Sequence, residues 1–182
     1  YPAASEARFL QEVVLGIGGW RALVALGYQP DVCHLNEGHA TLATLERARS
    51  FMHRTKVGFR QALWATRAGN VFTTHTSVAA AFDSFPIELV RKYGRVYASD
   101  IGVDENELAS LGQPPAGSAS DPFNMTYFAL RTCATANAVS RAHGAVSRHL
   151  FRTLFPRWPE QEIPIRHVTN GVHVPTWDST GA

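Results

Sequence analysis

Apolar residues recur along the chain at two alternating spacings. From about Ser5 to Leu15, the residues Phe9, Leu10, Val13 and Val14 fall on one stripe at helical intervals, and Ile17 continues it. The cluster Gly16-Ile17-Gly18-Gly19 predicts a bend or break there, since each glycine in a helix interior costs about 1 kcal/mol. A second helix is expected from about Trp20 to Leu26, ended by Gly27. The same stripe predicts helices over about Ala40–His53, Gly58–Arg67, Ile87–Tyr93, Asn124–Ala134 and His143–Phe155, with a short one opening on Asp104-Glu105-Asn106-Glu107. Between them, short apolar runs bounded by turn residues predict strands at about Asp31–Leu35, Val71–Thr74 and Ile165–Val168. Asn137–Ser140 reads as a short strand or a turn, and Gly112–Asp121 as a surface loop.

Strand and helix therefore alternate. That order predicts an α/β fold with a parallel sheet and helices on both faces. Right-handed crossovers would bring every strand's carboxyl end to one edge, where ligands of such folds sit.

Composition narrows the function classes. Hydrophobic residues make up 45% and charged residues 18% of the 182, the balance of an ordinary globular domain. A net charge of +2 with scattered arginines gives no footprint for nucleic acid. No apolar run approaches membrane-spanning length, and the N-terminal residues lack a leader pattern. Cys33 and Cys133 lie in apolar surroundings outside any C-x-x-C pair, so both read as free thiols of a reducing, cytoplasmic protein. Tyr1-Pro2-Ala3 leads straight into a helix, and the chain stops soon after a strong motif. A segment of a longer protein is the expectation.

The candidate chemistry sits at three strand ends. The first carries His34, Asn36, Glu37 and His39; the second, His75 among Thr73, Thr74 and Thr76; the third, Thr169, Asn170 and His173. Asn, Thr and His both donate and accept, so together they suit a neutral polyhydroxyl ligand. His34, embedded in its strand, reads as a core histidine satisfied by backbone. Glu37 either caps the following helix or contacts substrate, and His39 is balanced in the same way. His75 is the better placed for a ligand, whereas Asn170-Gly171 is by itself a generic turn signal. His34, Glu37 and His39 do not match H-E-x-x-H, so no metal site is expected.

Six segments in register carry a resemblance. They are Arg8-Phe9-Leu10-Gln11-Glu12; Val32–Ala40 with Asn36-Glu37-Gly38-His39; Thr74-His75-Thr76; Phe123-Asn124-Met125-Thr126; Asn137-Ala138-Val139-Ser140 with His143-Gly144; and Thr169-Asn170-Gly171-Val172-His173 with Trp177. Together they resemble the α-glucan (glycogen, starch, maltodextrin) phosphorylases, most of all the bacterial branch. The resemblance implies that residues 1–182 are part of the N-terminal, Rossmann-like domain of a two-domain GT-B glycosyltransferase. It further implies transfer of a terminal glucosyl unit from an α-1,4-glucan or maltodextrin to inorganic phosphate, giving glucose 1-phosphate. Pyridoxal phosphate is the family's cofactor, and its phosphate group acts in proton transfer. The attachment lysine belongs to the C-terminal domain, which is not in this chain; Lys56 and Lys92 stand in unlike contexts.

By position, His75 resembles the family's histidine at the glucosyl unit, and Asn170 the asparagine at a sugar hydroxyl. Glu37 and His39 match positions beside the pocket. Ser77, Ala81 and Ala138 depart from the residues usual at those places, which bears on loop geometry after His75. The segment alone is expected to be inactive, and homo-oligomerisation of the full-length protein is left open. The alternatives are a GT-B glucan synthase using a nucleotide sugar, which usually carries Trp where this chain has Gly38, and a non-catalytic carbohydrate-binding or assembly domain.

Overall fold

The computed structural model describes residues 5–178. Tyr1-Pro2-Ala3 and residues 179–182 lie outside the described residues. In chain order the elements are helices α1 (Ser5–Val13) and α2 (Gly19–Ala25), strand β1 (Cys33–Asn36), helices α3 (Leu42–Thr55) and α4 (Phe59–Arg67), and strands β2 (Asn70–Thr74) and β3 (Ser84–Phe85). Then come α5 (Ile87–Ile101), α6 (Glu105–Ser110), β4 (Phe123–Asn124), α7 (Met125–Thr132), β5 (Thr135–Ala138), α8 (Arg141–Phe151), β6 (Ile165–His167) and α9 (Val174–Trp177).

Four strands form one parallel sheet in the order β1-β2-β5-β6. Its register sets Leu35 beside Phe72, Phe72 beside Ala136 and Ala136 beside Ile165. This row is buried, and it packs against Ala129, Leu130 and Cys133 of the α7 end and Phe151 of α8. A second core lies between helices, where Phe9, Leu42, Leu45, Ala62, Val90, Leu108 and Phe128 meet. Alternation puts His34, Asn36, Val71, Thr73, Thr135, Asn137 and Arg166 on the other face of the sheet. His34, Asn36, Thr135 and Arg166 there are exposed, so the described helices cover one face and not both, as the alternation had predicted. The topology explains this: each crossover advances one strand in the same direction, and right-handed connections then fall on one side.

His34 consequently differs from the sequence expectation. It is exposed rather than in the core, and its Nε2 lies 2.7 Å from Thr73 Oγ1 instead of bonding backbone. Thr73 in turn donates to Asn137 Oδ1 at 2.9 Å, linking three strands across the open face.

The glycine cluster does not break the first helix. Val14–Gly18 forms a wider π turn that joins α1 to α2, with the Gly19 N–H reaching the Val14 carbonyl. The reason is packing. A Cβ at Gly16 would lie 2.8 Å from Ala43 N and Leu42 Cβ, whereas Gly19 has nothing within 4 Å. Only the first of these glycines is needed for close approach to α3. That approach is secured by Glu46, only 1% exposed, which accepts from Arg21 Nε at 3.0 Å, Arg21 Nη2 at 3.1 Å, Arg49 Nη1 at 3.0 Å and the Tyr97 hydroxyl at 2.8 Å. One carboxylate thus ties α2, α3 and α5 together. Burial, reinforced by Glu46, pushes the Tyr97 phenol well above its ordinary range.

The amino ends of the strands are fixed separately. Arg47 donates to Gly69 O at 2.9 Å and Asn70 Oδ1 at 2.8 Å, and Asn70 Nδ2 donates to Thr132 O at 2.8 Å. Helix α5 runs on to Ile101, eight residues beyond the expected end. The two-residue antiparallel pair of β3 and β4 carries no sequence periodicity and was not expected. Gly16→Ala should lower stability by about 1–3 kcal/mol, because the facing atoms are α3 backbone and the Leu42 Cβ fixed to it, which cannot move aside. Urea unfolding checks this, and an unchanged midpoint would contradict the packing account.

Candidate functional site

The carboxyl ends of β1, β2, β5 and β6 lie along one sheet edge, as a parallel ladder requires. At the first, the chain leaves β1 through Glu37 with φ 66° and ψ 179°. That is a costly conformation for a residue with a side chain, on the order of 1–3 kcal/mol. Three contacts hold it. The Glu37 N–H donates to Thr73 O at 2.8 Å, prolonging the ladder by one bond. Its carboxylate accepts from the backbone N–H of His75 and from Thr76 Oγ1, the latter at 3.1 Å. The Glu37 carboxylate therefore does not cap the following helix, where no side chain caps the amino end. It caps the end of the neighbouring strand.

The backbone kink also turns Gly38 toward α7. A Cβ at Gly38 would stand 3.0 Å from Met125 Cβ, so the strand-end loop seats directly on the start of that helix. His39 follows in the short turn Gly38–Ala40 and is partly exposed.

His75, exposed at the end of β2, has its ring held from the side. Its Nε2 lies 2.7 Å from Asn36 Oδ1. With an oxygen acceptor there, Nε2 is the donor, and in the neutral imidazole Nδ1 can then accept. Thr76 is fixed from the opposite direction: its carbonyl accepts from His143 Nε2 at 3.0 Å. His143 is buried, and its Nδ1 accepts the Val139 N–H at 3.3 Å, while its own N–H is capped by Ser140 Oγ at 3.1 Å. One imidazole thus bridges α8, the end of β5 and the end of β2. In sequence His143 stands only at the start of a predicted helix, and nothing there signals the bridge. Asn36 was noted in the motif but was not singled out as the group that orients His75.

At the far end of the edge, the Val168 N–H donates to Ala138 O at 2.9 Å and the Asn170 N–H to Val139 O at 3.0 Å. The backbone of Asn170 is thereby fixed while its side chain stays exposed. Strand β6 lies two positions from β2, so Asn170 and His75 are set apart by about two strand spacings, roughly 10 Å. His173 Nδ1 lies 2.5 Å from Thr176 Oγ1, a local bond that opens α9.

The four residues expected at the site thus divide. His75 and Asn170 present side chains outward from fixed backbone. Glu37 is a clamp on the His75 loop, and His39 borders it. The edge offers hydrogen-bonding groups to a ligand but is a single wall, open to solvent. Among the described residues no group of three or more His, Cys, Asp or Glu could hold a metal ion. The thiols offer no nucleophile: burial pushes Cys33 up and Cys133 to about 12, so both stay protonated at neutral pH. Among the described residues no helix is long and apolar enough to cross a membrane.

No protein-family model matches the chain. It is homologous to glycogen and maltodextrin phosphorylases across nearly its whole length. A maltodextrin phosphorylase of Thermococcus litoralis is 41% identical over 97% of the chain. A glycogen phosphorylase of Mycobacterium tuberculosis is 40% identical over 97% of it, and one of Aquifex aeolicus 32% over 97%. The chain spans 20%, 21% and 25% of the length of these relatives, respectively. The parallel α/β sheet agrees with the N-terminal GT-B domain that this homology implies.

Replacing Glu37 with Ala should release the His75 amide. Its hydrogen exchange should quicken about tenfold or more, as loss of a charge-assisted acceptor worth about 1.5–3 kcal/mol implies. Glu37→Gln, which keeps an acceptor, should fall between. An unchanged exchange rate in Glu37→Ala would remove the clamp from the account.

Proposed function

We propose, from homology to about a fifth of an α-glucan phosphorylase, that the chain supplies the glucosyl-side wall of such an enzyme's active site. In this reading residues 1–182 are part of the N-terminal domain. The full-length protein transfers a terminal glucosyl unit from an α-1,4-glucan or maltodextrin to inorganic phosphate, giving glucose 1-phosphate. The single observation that carries the reading is the joint one: homology along the whole chain, with its polar motifs meeting at one sheet edge.

The chemistry supports it. His75 and Asn170 line the pocket and hydrogen-bond sugar hydroxyls. His75 can accept at Nδ1 and Asn170 can do both, which suits hydroxyls that donate and accept. Glu37 and His39 border that pocket, Glu37 chiefly by keeping the His75 loop in place. Hydrogen bonds to the sugar that strengthen as positive charge develops at the anomeric carbon would favour bond breaking.

The cofactor of these enzymes, pyridoxal phosphate, does not fit the residues present. It needs a lysine at the reacting centre. Lys92 is bound to Glu6 at 2.7 Å on the α1–α5 surface, and Lys56 ends α3 in a left-handed turn. Neither is on the strand-end edge, so the cofactor's attachment and the phosphate site are assigned to the C-terminal domain.

The full-length protein should form glucose 1-phosphate from maltodextrin and phosphate, and the 182-residue chain alone should form none. His75→Ala and Asn170→Ala should each lower kcat/KM by roughly 10²-fold, the scale seen when one preorganised hydrogen-bonding group is removed. Glucosyl transfer from a nucleotide sugar without phosphorolysis would instead favour a glucan synthase. Maltodextrin binding without turnover, unaffected by His75→Ala, would favour a non-catalytic binding domain.

A further inference from the structure

The loop that begins at His75 is held at its far end by a charge cluster that none of the site chemistry uses. Asp83 closes that loop. Its backbone carbonyl accepts the Met125 N–H at 3.0 Å, and its carboxylate accepts from Arg8 Nη2 at 3.1 Å. The same guanidinium reaches a second carboxyl: Arg8 Nε lies 3.0 Å from Glu12 Oε1 one helical turn on. The two acids differ in surroundings. The Asp83 side chain is 35% exposed and in direct hydrogen-bond contact with Arg8. Glu12 is 1% exposed, and although Arg8 Nε is close, neither Glu12 oxygen has a hydrogen-bond donor among the described residues. Among the described residues, Arg8 and Asp83 are the charged groups that act on Glu12. Glu6, on the same helix, is taken up by Lys92 and Tyr93 of α5.

An ionised carboxylate in that position would be buried, without a hydrogen bond, beside a second negative charge that already holds the one cation. Each of these penalises the charged form. A neutral carboxylic acid meets neither objection, because its O–H can donate toward Asp83 while Arg8 serves the anion. We propose that Arg8, Glu12 and Asp83 form a one-proton anchor, with Glu12 the acid, Asp83 the carboxylate and Arg8 the cation between them, which positions the loop from His75 to Asp83. Arg8 and Glu12 are positioning residues; they act on His75 through the loop. Burial, aided by Asp83, lifts Glu12 to about 8, in accord with the geometry.

The sign follows. Folding raises this group above its unfolded value, so the stability it brings is complete below the ordinary carboxyl range and is lost as pH rises through about 8. Removing the proton sets two carboxylates against one guanidinium and loosens the loop. That His75 meets a sugar rests on the preceding reading. The titration of Glu12 does not, so the two can fail separately.

The test is a carboxyl-carbon NMR titration of the 182-residue chain. Glu12 should titrate with a midpoint of about 8, and the amides of Thr76 to Ser84 should shift with the same midpoint. Asp83→Asn should lower the Glu12 midpoint toward the ordinary range. Glu12→Gln should abolish the transition in the loop amides while leaving their neutral-pH positions close to those of the wild type. Should Glu12→Gln not fold, the wild-type and Asp83→Asn titrations decide alone. A Glu12 midpoint near the ordinary value of about 4.3 would overturn the proposal. So would a midpoint that Asp83→Asn leaves in place, since burial alone would then account for it, or loop amides that ignore the transition.

Discussion

Four parallel strands that each step one place in the same direction leave the chain only one way to dispose of its helices. The crossovers fall on one face, and the buried row Leu35, Phe72, Ala136 and Ile165 is what they cover. Everything at the candidate site depends on that register. It sets Asn36 beside Thr73 and Thr73 beside Asn137, and so brings the ends of β1, β2 and β5 level. A slip of one residue would turn the apolar row outward and scatter the strand ends.

Given the register, the site is assembled by bonds that run between strand ends rather than along them. Glu37 adopts a strained backbone and offsets the strain by capping the end of β2. His143 does the same work from the other side through the Thr76 carbonyl. Between these two clamps His75 is oriented by Asn36, and the far end of its loop is held by Arg8 through Asp83. The edge is accordingly held by hydrogen bonds where it would touch a ligand, as discriminating one hydroxyl arrangement from another requires. Its one carboxylate, Glu37, is engaged by the His75 amide and Thr76, which leaves hydrogen-bond donors and acceptors as what the edge presents.

Much of this could be read in the sequence, and the exceptions have physical causes. Helix and strand periodicity located the elements of the parallel sheet within a few residues, because each buries one stripe or one face. The end of α5 was missed because Gly94 follows Tyr93 like a stop, whereas the helix runs on and buries Ala98 and Ile101 in the second core. The β3–β4 pair was missed because two residues carry no period. Gly16 to Gly19 looked like a break; the close approach of α3 at Gly16 turned it into a π turn instead. His34 looked like a core residue because it sits in a strand, and only the one-sided topology exposes its face. Glu37 looked like a helix cap because the helix follows it at once, whereas its partners, His75 and Thr76, are close only in space. His75 and Asn170 were legible as candidates from their strand-end positions. Their supporting residues Asn36 and His143 were not, since support depends on contacts between segments.

The central proposal is that this sheet edge is the glucosyl wall of an α-glucan phosphorylase. The most direct measurement is a crystal structure of the full-length protein with glucose 1-phosphate bound. The account predicts the sugar ring between the ends of β2 and β6, with hydroxyls within hydrogen-bond distance of the His75 imidazole and the Asn170 side chain. A sugar bound elsewhere, with both side chains facing only solvent or protein, would contradict it.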